Sequence, residues 1–103
     1  MNFNLTTPEE ILHQFALRLR AQRLVQEFSQ HTLARMAGLS LGAVRKLETD
    51  GHCSLETLIR VAQALGLVGE LEPLFAQKPE SIAAMQRAAR VKLRQRAPRR
   101  PSL

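Results

Sequence analysis

Three histidines, His13, His31 and His52, and one cysteine, Cys53, are the side chains best suited to metal binding or nucleophilic chemistry. Their spacing supports neither, since none stands at a zinc-ligand interval from another. They read as ordinary polar residues, with Cys53 a small loop residue. There is no glycine-rich phosphate loop and no nucleophile elbow. Glu70 and Glu72 fall on a short solvated helix rather than in a pocket. The expectation is a protein that is not an enzyme and needs no metal and no cofactor. What remains are guanidinium and ammonium groups, which pair with phosphates and carboxylates. The formal net charge is +6. Residues 1–85 hold eight basic groups and all nine acids, whereas residues 86–103 hold seven basic groups and no acid. The positive charge is thus a property of the C-terminal segment.

Short helices must position these groups. Thr7-Pro8-Glu9-Glu10 reads as an N-cap, a proline at the first helical position and a capping box. Ile11, Phe15 and Leu19, with Leu12 and Ala16 beside them, form the apolar stripe of a helix over about 8–24. Ser29 caps a second helix carrying Leu33, Ala34 and Ala37, which ends at Gly38. Ser40 caps a third after only two residues, with Val44 and Leu47 inward, stopping near Thr49-Asp50-Gly51. Two such helices joined so tightly must cross steeply, as in a helix-turn-helix. Ser54 caps a fourth, with Leu55, Leu58, Ile59, Ala62 and Leu65 as its stripe and Gly66 past its end. Gly69 to Phe75 reads as a short fifth helix limited by Pro73. A sixth is expected over about 79–95 with Ile82, Met85, Ala89 and Leu93 as a narrower apolar set and increasingly basic flanks, and then a Pro- and Arg-rich disordered tail. The segments are residues 8–76 as one domain, 77–95 as a helical extension and 96–103 as a basic tail.

The run from Phe28 to Glu48, FSQHTLARMAGLSLGAVRKLE, followed by Ser54–Gly66, SLETLIRVAQALG, resembles the Xre/phage-repressor helix-turn-helix family. The likeness covers roughly residues 11–75. It implies an all-α, five-helix lambda-repressor-like domain with an added C-terminal helix and basic tail. It also implies that Arg23 and Glu48 form a structural salt bridge. The third helix would lie in the major groove and present Ser40, Leu41, Gly42, Arg45 and Lys46 to base edges. Arg45 is suited to bridging O6 and N7 of guanine. Leu41 departs from the polar residue frequent at its position and suits a thymine methyl. Ser29, Gln30 and Thr49 match phosphate-contacting positions.

The implied activity is sequence-specific binding of a double-stranded DNA operator by a homodimeric repressor. Leu71, Leu74 and Phe75 are candidates for the dimer or partner interface, and alternatively for closure of the monomer core. The chain is also similar to HipB-type antitoxins, which add sequestration of a HipA-like kinase toxin or an associated protein to autoregulation. On that reading the added work falls to a surface outside the third helix, and the distinguishing feature is the segment after Phe75, which a minimal repressor does not need. The tail, with Arg94, Arg96, Arg99 and Arg100, is either a solvated extension or a functional arm. RNA binding is disfavoured, because four Phe residues are needed for the core and leave no stacking platform. A single cysteine excludes an intrachain disulfide. No apolar run is long enough to cross a membrane, and MNFNLTTPEE lacks the pattern of a signal peptide, so a cytoplasmic protein is expected.

Overall fold

A computed structural model describes residues 2–77 and 82–96. The protein is all-helical, with no strand among the described residues. After a single 3-10 turn at Phe3–Leu5 come α1 (Pro8–Val25), α2 (Gln30–Ala37), α3 (Leu41–Asp50), α4 (Leu55–Ala64), α5 (Val68–Leu71) and α6 (Ile82–Arg96). The chain divides into two compact units, Met1–Glu72 and Pro73–Leu103.

The helix starts follow from local chemistry. Thr7, Ser29, Ser40 and Ser54 each accept, through the side-chain oxygen, a hydrogen bond from the backbone N–H three residues on. That satisfies a donor the helix cannot pair internally. α2 stops at Gly38, whose φ of 68° lies in the left-handed region. The Leu39 and Gly38 N–H groups then bond back to Ala34 and Arg35, which closes a Schellman motif. α1 closes the same way without a glycine. Glu27 takes φ 60°, with Phe28 N–H on the Arg23 carbonyl and Glu27 N–H on Leu24.

In the first unit α3 packs on α1 and α2, and α2 packs on α4. Leu33, Ala34, Ala37, Val44, Leu47, Val61 and Leu65 form the buried cluster, with Leu19, Phe28, Leu39, Ala64 and Leu67 packed against it. Ala34 is buried where a larger side chain would push the helices apart.

Two expected stripes are rotated. In α1, Ala16 and Arg23 are buried, whereas Phe15 is 38% exposed. Bringing Arg23 inward turns the helix by roughly half a residue step of the 100° per residue. Phe15 instead meets Phe3 edge-on at 5.8 Å, with the Arg18 guanidinium over both rings. In α4 the inward residues are Val61, Ala62 and Leu65, while Leu55 is 72% exposed and Ile59 is also at the surface. α5 covers only Val68–Leu71, because a helical Pro73 would clash with the preceding turn. The expected start of the sixth helix and the tail beyond Arg96, including Arg99 and Arg100, lie outside the described residues.

Gly51 caps α3 at φ 78°, and a Cβ there would collide with the backbone carbonyl of Leu12 in α1. Gly66 has a similar φ of 73° but open space around it. Gly66→Ala is therefore expected to cost about 1 kcal/mol of left-handed strain, and Gly51→Ala more than about 2 kcal/mol, because Leu12 must move as well. Glu27→Gly should gain about 0.5–1 kcal/mol by relieving the strain that an L side chain bears there. Denaturant midpoints at constant slope would rank the three variants.

Candidate nucleic-acid interface

α2, the turn Gly38–Ser40 and α3 follow one another with α2 packed on α3, and a buried ion pair ties α3 to α1. Arg23 Nε donates to Glu48 Oε2 at 2.7 Å and Nη2 to Oε1 at 2.9 Å, a two-pronged pairing of guanidinium and carboxylate. Arg23 Nη1 donates to the Phe28 carbonyl at 2.8 Å, and Gln30 Nε2 donates to Glu48 Oε1 at 3.2 Å. The two charged side chains are only 9% and 3% exposed. Among the described residues no buried side-chain nitrogen or oxygen lacks a partner. Desolvation of the two ions is offset by this full set of bonds. The cluster joins α1, the α1–α2 loop, the start of α2 and the end of α3, so α3 has one orientation.

With Val44, Leu47 and Glu48 buried, the opposite side of α3 faces out. Arg45, Lys46 and Gly42 are exposed and Leu41 is half-buried. Ser40 is exposed at the helix start, its Oγ accepting from Ala43 N–H at 3.1 Å. Gly42 stands in open space, since a Cβ there would meet only Ser40 Oγ at 4.0 Å.

The other polar positions are partly committed. The Ser29 hydroxyl accepts from Thr32 N–H and donates to Thr32 Oγ1, both at 3.0 Å. Thr49 Oγ1 donates to the Arg45 carbonyl at 2.7 Å. Gln30 spends one of its two amide hydrogens on Glu48 and keeps the other. Its contact with the ion pair was not visible in the sequence, where Gln30 matched a phosphate-contacting position and nothing pointed to Glu48.

A helix-turn-helix family matches residues 19–72, from the later part of α1 through α5. The chain belongs to the helix-turn-helix family of Xre type. No curated relative matches it. The family segment begins at Leu19, so the Arg23–Glu48 pair falls inside it and the first turns of α1 fall outside. The helix-turn-helix is a DNA-binding one. No described helix is long and apolar enough to cross a membrane. Among the described residues no group of His, Cys, Asp and Glu could hold a metal ion. Leu71, at the end of α5, is half-buried; Leu74 is exposed, and Phe75 is 98% exposed at φ 58°.

Cys53 sits in the α3–α4 loop, and its thiol is held above the ordinary thiol range. Partial desolvation of the thiol, in a residue that is exposed as a whole, is the main cause; a backbone hydrogen bond at Leu58 offsets it in part, and the Asp50 carboxylate adds to it. Because the thiolate is the reactive form, alkylation at neutral pH should be slower than for a free cysteine and should accelerate only at higher pH. A pH series with iodoacetamide would show this.

The ion pair yields a stability test. Replacing Arg23 alone with Met should cost about 3–5 kcal/mol, because Glu48 is left buried and unpaired. The double variant Arg23→Met/Glu48→Leu should recover much of that loss, and denaturant titration would measure both.

Proposed function

We propose that this protein is a sequence-specific, double-stranded DNA-binding transcriptional repressor that acts as a homodimer. The observation that carries this is the fully bonded Arg23–Glu48 cluster, which holds α3 with Arg45 and Lys46 outward and everything beneath them buried. On this reading α3 enters the major groove with Ser40, Leu41, Gly42, Arg45 and Lys46 toward the bases. Arg45 brackets a guanine, Leu41 meets a thymine methyl, and Gly42 admits the backbone close to a base edge. Gln30, through its second amide hydrogen, and Ser29 and Thr49, by exchanging their present partners, take phosphates on either side.

Dimerisation follows from affinity. One helix of this size buries too little against DNA for tight operator binding, and a two-fold arrangement doubles the contact. Leu71, Leu74 and Phe75 are assigned to that interface. A second reading is favoured by one observation, the almost complete exposure of Phe75 at the start of a unit that a minimal DNA reader does not need. On that reading the protein is a HipB-type antitoxin whose Leu74-Phe75 corner engages a HipA-like kinase toxin or an associated protein. Co-expression with the product of the neighbouring gene tests it, and absence of a stable complex removes it.

The primary reading is tested by mobility shift with duplex from upstream of the protein's own gene. Salt-sensitive retardation is expected, and its absence refutes the reading. Arg45→Ala should cost about 1–3 kcal/mol and relax preference at one base position. An equal loss on every sequence would make Arg45 a phosphate contact instead.

A further inference from the structure

The two units differ sharply in charge. Met1–Glu72 holds seven basic groups and eight acids, one of its arginines being spent on Glu48. Pro73–Leu103 holds eight basic groups and one acid. Within the second unit, α6 (Ile82–Arg96) contains no acid at all. Arg87, Arg90 and Arg94 recur at i, i+3 and i+7, which places them on one face, and all three are exposed. Met85, Ala89 and Leu93 lie on the other side and are exposed too.

Two ordinary reasons for such arginines fall short. Cations in the last turn complement the helix dipole, which accounts for Arg94 and Lys92, but the effect fades before Arg90 and Arg87. A solubilising face mixes signs, whereas here Arg87 and Arg90, and Arg90 and Arg94, set like charges at neighbouring positions of a helix without acids, where they repel. A polyanion laid along that face relieves the repulsion. Duplex DNA offers one negative charge per roughly 1.7 Å of its axis, and a 15-residue helix extends about 22 Å. The near-neutral first unit, which carries the reading helix, has little with which to supply sequence-independent attraction.

We propose that the Arg87–Arg90–Arg94 face of α6 binds the phosphate backbone of the duplex that α3 reads. It supplies the salt-dependent affinity that Met1–Glu72 lacks, and it rests on the DNA-binding reading above. A membrane surface fits less well. Lys92 falls in line with Met85, seven residues on, and interrupts the apolar stripe, and the helix has no aromatic residue to seat in a lipid interface. The same interruption weakens a coiled coil with a second copy.

The test uses the full-length protein and two duplexes, the preferred one and a scrambled one, titrated across a salt series. Replacing Arg87→Gln, Arg90→Gln and Arg94→Gln together should lower the slope of log K against log salt by about 2.7, at roughly 0.9 per phosphate contact. Affinity for both duplexes should fall by the same factor. The matching triple replacement with lysine should keep the slope, which separates charge from helix integrity. An unchanged slope in the glutamine variant overturns the proposal while leaving α3 as a DNA reader. So does a changed ratio between the two duplexes, or loss of binding to phosphatidylserine vesicles with the DNA slope intact. If the unsubstituted protein binds neither duplex, the DNA-binding reading itself fails, a distinguishable result.

Discussion

The structure of the first unit depends on one buried ion pair. Arg23 and Glu48 lie 25 residues apart, and their pairing sets how α1, α2 and α3 meet. An arginine suits this place because its planar fork offers parallel bonds to a carboxylate and still has a hydrogen for the Phe28 carbonyl. An ammonium has donors enough but no planar fork to fix the carboxylate's orientation. The apolar cluster next to it is small, built around Leu33, Val44, Leu47 and Val61. A core of that size supplies cohesion without much directionality. The ion pair supplies direction, since its bonds fail if α3 rotates or slides.

That division of labour explains what could be read from the amino-acid order. The helix starts at Thr7, Ser29, Ser40 and Ser54 were legible because each rests on a bond across three residues. The left-handed ends at Gly38 and Gly66 were legible for the same reason, and so was the outward side of α3 opposite Val44 and Leu47. Local chemistry decides all of these. The two chemical partners Arg23 and Glu48 came from resemblance to a family, not from spacing.

What stayed hidden depends on distant neighbours. The faces of α1 and α4 were each misjudged by part of a turn, because a buried arginine counts against burial in any hydrophobic pattern and Val61 competes with Leu55 and Ile59 for the inward side. Glu27 adopts a glycine conformation with no glycine to signal it. The approach of Gly51 to Leu12 joins residues 39 positions apart. Gln30 matched a phosphate-contacting position, and its bond to Glu48, 18 residues on, had no local sign.

The glycine in the first turn of α3 has a consequence for how such a protein changes. Gly42 has no side chain, touches nothing that folding needs, and has empty space in the direction a Cβ would take. A glycine inside a helix is a small stability loss relative to alanine. Almost any residue placed there would fit and would tend to firm the helix. The outward side of α3 therefore holds an unfilled seat beside Arg45 and Lys46. A lineage could acquire a new side chain at that seat without repairing the core, since the residues that hold α3 in place lie on the other side of the helix.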